Sequence, residues 1–253
     1  MEEKEPSSFD LLIESHLNLD RLGPGSTEMT IKALSFIPAL GVDSRVADIG
    51  CGTGSQTIVL AQNCEASITG VDMIPAFIDV FNSRVNQANL SGRINGLVGD
   101  AMDLPFEKET LDLMWSEGMI DSLGFEKTLA NWNAFLKPGG YVAVTSPSWL
   151  THKRPEDIEK LWIDAGSGLY SVESNIEAMQ KSGYSFVVAF TLPESCWMDN
   201  YFIPRMVSEN ELLNTYPHND LVKDYVESMK YEVDLYVKHK RDYGYVFYIG
   251  KKL

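Results

Sequence analysis

The sequence predicts an α/β fold with a doubly wound, mostly parallel sheet, and three observations carry that expectation. Apolar runs of strand length alternate with segments of helical period across the first 146 residues. The run Val46-Ala47-Asp48-Ile49 passes into glycines at every second position, Gly50-Cys51-Gly52-Thr53-Gly54. Ser55-Gln56-Thr57 then offers helix-start chemistry before the apolar Ile58-Val59-Leu60-Ala61. A strand, a tight glycine turn and a helix N-terminus form a place where backbone approaches a ligand closely and N–H groups stand unpaired.

The 253 residues suit one α/β domain with an appendage, or two small domains. A formal net charge of −15 argues against binding a phosphate backbone, so no nucleic-acid partner is expected. No apolar run nears the roughly 18 residues of a membrane span, and the opening Met1-Glu2-Glu3-Lys4-Glu5-Pro6 is unlike a signal peptide. The expected location is the cytoplasm. Cys51, Cys64 and Cys196 are scattered without ligand spacing, which suits a reducing compartment and supports neither a metal site nor a cysteine nucleophile.

Taken in order, Phe9, Leu12, Ile13 and Leu17 recur at helical spacing until Arg21-Leu22-Gly23-Pro24-Gly25-Ser26 breaks the pattern. Ser26 or Thr27 caps a second helix carrying Met29, Ala33, Leu34 and Ile37. A second strand, 66–72, ends in Asp72, 24 residues beyond Asp48 and near the roughly 20-residue offset of an acid that binds ribose hydroxyls. Pro75 starts a helix bearing Ile78, Phe81 and Val85. Strands follow at 94–98 and 111–116, with Ser116, Glu117 and Gly118 near the switch point of the sheet. A helix with Leu129, Trp132 and Leu136 is expected to stop at Lys137-Pro138-Gly139-Gly140, before a buried strand at 141–145. Helical patterning returns at 155–165 and 172–181, a strand at 185–192, and 193–217 reads as irregular and aromatic. A long amphipathic helix from Leu221 to Val237 and a strand at 245–249 complete the chain.

The glycines fall as G-x-G-x-G with an acid two residues ahead, which is not the G-x-G-x-x-G spacing of a dinucleotide site. This pattern resembles the first motif of class I S-adenosylmethionine (SAM)-dependent methyltransferases. Asp100-Ala101-Met102-Asp103-Leu104-Pro105-Phe106 is similar to that family's G-D-A-x-x-L-P-F loop, and Leu136-Lys137-Pro138-Gly139-Gly140-Tyr141 to its L-K-P-G-G-Y run. Residues 26–146 carry the resemblance, which looks closest to ubiquinone/menaquinone and type 11 methyltransferases. It implies a Rossmann-like, seven-stranded sheet in the order 3-2-1-4-5-7-6 with strand 7 antiparallel, plus a helical lid. The chain would then be one domain, with a lid segment at 1–40, a cofactor-binding core at 41–146 and a substrate-side lid with a C-terminal hairpin at 147–253.

The resemblance also implies SAM as cofactor, S-adenosyl-L-homocysteine as product and a small-molecule methyl acceptor, with a homodimer left open. It places Asp48, Gly50, Cys51, Gly52, Gly54 and Gln56 around the amino-acid moiety and Asp72 on the ribose. Met73 would lie on the adenine face, Gly99, Asp100 and Ala101 would read the adenine edge, and Ser116 and Glu117 would close the pocket. Gly25, Ser26 and Thr30 would line the carboxylate end. If the acceptor must lose a proton, Glu117 leads as base, with Asp121 beside it and His152 and Tyr201 on the lid side. His16 either faces the substrate or packs the lid. Two other readings compete: a nicotinamide-dependent Rossmann oxidoreductase, and a SAM-binding regulatory protein without acceptor chemistry.

Overall fold

The computed structural model describes residues 6–253; the acidic opening at residues 1–5 lies outside them. The chain begins with helices α1 (Ser8–His16) and α2 (Thr27–Leu34). Each is started by a serine hydroxyl that accepts a backbone N–H, Ser7 from Asp10 and Ser26 from Met29. Strands and helices then alternate through β1 (Arg45–Ile49), α3 (Ser55–Asn63), β2 (Ser67–Asp72), α4 (Pro75–Gln87) and β3 (Ile94–Val98), and β4 (Leu111–Ser116) follows β3 directly. After them come α5 (Ile120–Leu123), α6 (Phe125–Asn133), β5 (Leu136–Trp149), α7 (Glu156–Asp164), β6 (Tyr170–Ser171), α8 (Val172–Lys181) and β7 (Tyr184–Thr191). The chain closes with α9 (Glu194–Trp197), a π-helical turn (Met198–Phe202), α10 (Ile203–Thr215), α11 (Asp220–His239) and β8 (Tyr243–Lys252).

The sheet order is β3-β2-β1-β4-β5-β8-β7, with the two-residue β6 paired alongside the end of β5. Setting β6 aside, this is the predicted 3-2-1-4-5-7-6 order. Strand β8 runs antiparallel to both neighbours, while the other pairs are parallel. Alternate residues of the central strands feed two cores. Val46, Leu113, Trp115 and Phe247 face one side; Ala47, Ile49, Met114 and Tyr248 face the other. Burial on both faces explains why these strands read as continuous apolar runs.

Phe81 of α4 is fully buried and keys into a notch formed by three glycines. A Cβ on Gly54, Gly70 or Gly96 would fall 2.1, 2.9 or 2.5 Å from its ring. The notch thus locks the glycine turn, β2 and β3 under one side chain.

Two expectations need correction. The helix before β5 ends at Asn133, and Leu136 already pairs with Leu111. The register then slips before Tyr141 meets Leu113, so Pro138 sits in an irregular stretch where no ladder N–H is required. The span 193–217 is not irregular but largely helical. Its π-helical turn interrupts the 3.6-residue period, which hid the helix from pattern reading. The turn is held by Trp197, which stacks on Tyr236 with ring centroids 4.4 Å apart, and by the buried Phe202.

Gly54→Ala is expected to cost roughly 2–4 kcal/mol in urea unfolding, since Gly54 has φ +88° and no room for a methyl group. A loss below about 1 kcal/mol would contradict the notch.

Candidate functional site

Strand β1 has β2 on one side and β4 on the other, and the chain leaves their C-terminal ends in divergent directions. The result is a crevice of about 390 Å³ at the switch point of the sheet. Its floor is the turn after β1, where Gly50, Gly52 and Gly54 have φ of +70°, +53° and +88°. Asp72 ends β2 and stitches this floor together. Its Oδ2 accepts the Gly52 N–H and its Oδ1 the Ile74 N–H, both at 2.9 Å. Each oxygen keeps a lone pair for a ligand. Burial raises the Asp72 carboxyl above the usual range.

The opposite wall is Glu117, just past β4. Its Oε2 pairs with Arg21 Nη1 at 2.8 Å, and its Oε1 accepts from Thr30 Oγ1 at 2.8 Å and Trp115 Nε1 at 3.0 Å. This carboxylate therefore clamps the N-terminal segment to the sheet. Gly25 lies against the clamp, where a Cβ would meet Arg21 Nη1 at 2.7 Å and Glu117 Oε2 at 2.9 Å.

Of the residues singled out from the sequence, Gly50, Cys51, Gly52, Gln56, Asp72, Met73 and Glu117 line the crevice together. Asp48, Gly54 and Ser116 lie beneath it or at its base, while Gly25, Ser26 and Thr30 stand behind the Glu117 clamp. Gly99, Asp100 and Ala101 do not reach this lining: Asp100 is exposed and accepts the Met102 N–H through Oδ1. His152 is exposed in the loop after β5. Tyr201 is buried behind the lid, where its hydroxyl accepts from Arg205 Nη1 at 3.0 Å and donates to His16 Nε2 at 3.2 Å. His16 Nδ1–H in turn reaches the Leu12 carbonyl at 2.9 Å, so the ring is neutral in this chain of bonds. Burial and the nearby Arg205 lower its pKa to about 4. His16 thus packs in the interior beside Tyr201, with ring centroids 5.9 Å apart.

Sequence reading missed Arg21, Leu22, Gly23, Phe77 and Met119, all of which line the crevice. The segment Arg21–Gly25 reads locally only as a helix breaker; its place over Gly52, where a Cβ would strike Leu22, is a tertiary fact. Among the described residues, no group of three or more His, Cys, Asp or Glu side chains is arranged to hold a metal ion.

Asp48 lies under the turn with no exposure. Its Oδ2 accepts from Thr57 Oγ1 at 2.5 Å, while Oδ1 has no partner among the described residues. Burial pushes its carboxyl up to about 7, and the nearby Glu117 and Asp72 act in the same direction. A carboxyl raised in the folded state contributes stability that is complete below its unfolded pKa and lost as pH rises through about 7. Asp48→Asn is therefore expected to gain Tm relative to the parent chain between pH 5 and pH 8. Parallel Tm–pH profiles would contradict the assignment.

The comparisons agree with this architecture. A family model described as a methyltransferase domain matches residues 46–140. Methyltransferase GfsG of Streptomyces halstedii is 28% identical over 141 residues, which is 55% of this chain and 47% of that protein. The chain spans about half the length of the curated relatives it matches. Among solved structures, a SAM-dependent methyltransferase from Thiobacillus denitrificans in complex with S-adenosyl-L-homocysteine superposes with a TM-score of 0.81 at 20% identity. That match covers 99% of this chain and 100% of the other. The [4+2]-cyclase SpnF superposes with a TM-score of 0.73 at 20% identity, covering 89% of this chain and 80% of that one. The family model spans β1 to the start of β5, and the fold is shared along the length of the chain.

Proposed function

We propose that this protein transfers the methyl group of SAM to a small-molecule acceptor. The observation that carries the reading is the crevice itself: a left-handed glycine turn facing a strand-end carboxylate across the switch point. The residues fit the cofactor. A Cβ at Gly50 or Gly52 would strike Met119 or Leu22, so the turn keeps backbone, not side chain, at the ligand surface. Asp20, Asp72 and Glu117 outweigh Arg21 in charge along the lining, which suits a ligand carrying a sulfonium and an ammonium.

In this reading Asp72 holds the ribose hydroxyls through its remaining lone pairs, and the Gly50–Gly54 backbone receives the amino-acid moiety. Met73, 70% exposed at the rim, is placed to cover the adenine. Asp100 reaches the adenine edge only by a shift of its loop. The bound cofactor supplies a methyl group on a positively charged sulfur leaving group, and the chain's task is to align the acceptor and exclude water. Such positioning contributes roughly 7–11 kcal/mol to lowering a barrier of this kind. The Arg21–Glu117 clamp keeps the N-terminal segment closed over the crevice.

The relatives' names support a small metabolite as acceptor, and the acidic charge weighs against nucleic acid. No helix among the described residues is long and apolar enough to cross a membrane. Three unpaired cysteines support a reducing, cytoplasmic setting. A single fold hosts several chemistries, and the cyclase match is an instance, so the decisive readout is methyl transfer.

Incubating the chain with methyl-labelled SAM and a metabolite extract is expected to yield S-adenosyl-L-homocysteine and a product heavier by CH₂. Binding of SAM without product would favour a regulatory protein, and thermal stabilisation by NAD(H) alone would favour an oxidoreductase. Asp72→Ala should weaken S-adenosyl-L-homocysteine binding by roughly 1.5–3 kcal/mol, about ten- to hundredfold, by calorimetry. Unchanged affinity would remove Asp72 from the ribose.

A further inference from the structure

We propose that Asn200 is a positioning residue: through Gly25 it makes the C-terminal helices respond to the cofactor crevice, so that filling the crevice orders the π-helical turn. This inference deepens the function proposed above and rests on it.

Residues 19–25 form the link. Asp20 through Pro24 line the crevice in succession. Arg84 ties the start of this segment to the glycine turn, its Nη2 donating to the Leu19 carbonyl at 3.0 Å and its Nη1 to Thr53 Oγ1 at 2.9 Å. The end of the segment is held by the C-terminal helices. The Gly25 N–H donates to the Cys196 carbonyl at 3.3 Å, and the Gly25 carbonyl accepts from Asn200 Nδ2 at 2.9 Å. The crevice and the C-terminal helices therefore grip one short stretch of backbone.

The π-helical turn explains how Asn200 comes to face the link. Tyr201 and Phe202 are buried, as is Trp197 just before the turn, while Asn200 is only partly covered. A π turn takes an extra residue into the helical period and so re-aims the side chains on it. Gly25 leaves no slack in return: a Cβ there would meet Arg21 and Glu117, so a shift of its backbone presses on their ion pair. A ligand that fixes residues 20–24 restrains Gly25 and, through it, the turn. By reciprocity, a restrained turn strengthens ligand binding. Asn200→Asp probes this link sharply, because it keeps the shape of the side chain but sets a carboxylate oxygen against the Gly25 carbonyl.

The test is hydrogen exchange by mass spectrometry on the full chain, with and without saturating S-adenosyl-L-homocysteine, together with affinity by calorimetry. In the parent chain the ligand is expected to slow exchange about fivefold or more in both 19–25 and 196–202. In Asn200→Asp the slowing should persist at 19–25 and disappear at 196–202, with S-adenosyl-L-homocysteine bound about fivefold or more weakly. Retained slowing at 196–202 with a lowered Tm, or unchanged affinity, is what a purely structural side chain gives and would overturn the proposal. A parent chain without slowing at 196–202 would overturn it too, and that result decides alone if the variant does not fold. Should S-adenosyl-L-homocysteine fail to bind, the methyltransferase reading falls. The link then stands if Asn200→Asp speeds exchange at 19–25 in the unliganded chain, and falls if exchange there is unchanged.

Discussion

The turn between β1 and α3 can be traced only by residues without a Cβ at three positions, and most of the site follows from that constraint. Left-handed backbone at Gly50, Gly52 and Gly54 folds the chain back sharply enough for the Gly52 N–H to meet Asp72 at the end of β2. That bond adds to those by which the Gly50 and Cys51 N–H groups already meet the Val71 carbonyl at the same strand ends. The same absence of side chains admits Phe81 from one side and Leu22 and Met119 from the other. A single methyl group at Gly54 would disturb the notch, the turn and the crevice floor together.

Above this floor, charge and hydrogen bonds hold the N-terminal segment alongside the apolar packing of Leu11, Leu19, Ala33 and Ile37. Arg21 and Thr30 converge on Glu117, and Arg84 reaches the Leu19 carbonyl and the Thr53 hydroxyl. Farther out, α1, α10 and α11 enclose a buried polar network in which Arg205 meets Tyr201, Glu209 and Glu232. Such buried ionic groups contribute little net stability against an apolar replacement, yet losing one partner strands the rest. They fix the orientation of Tyr201 and His16, which is why two residues with chemical potential are committed to structure.

The core of the fold was legible because its signals are local. Strand-length apolar runs, glycine spacing and the strand-end acids Asp48 and Asp72 all report on geometry within a few residues. The crevice floor was readable for the same reason. What escaped depends on contacts distant in sequence: Arg21 finding Glu117, Leu22 covering Gly52, and Ser167 reaching Asp121 from a loop 46 residues on. The helices within 193–217 were hidden by a π-helical turn whose aromatic residues pack inward out of register with a helical period. Glu117 shows the limit most plainly, since its position past β4 suggested a base, while two of its three donors, Arg21 and Thr30, come from a segment no local pattern connects to it.

The central claim is that the crevice at the ends of β1, β2 and β4 receives an adenosyl ligand, its ribose on Asp72. The most direct measurement is the structure of the chain grown with S-adenosyl-L-homocysteine. Ligand density is expected along Gly50–Gly54, with both ribose hydroxyls within hydrogen-bond distance of the Asp72 carboxylate. An empty crevice at saturating ligand, or one filled only by a diphosphate-bearing coenzyme, would contradict it.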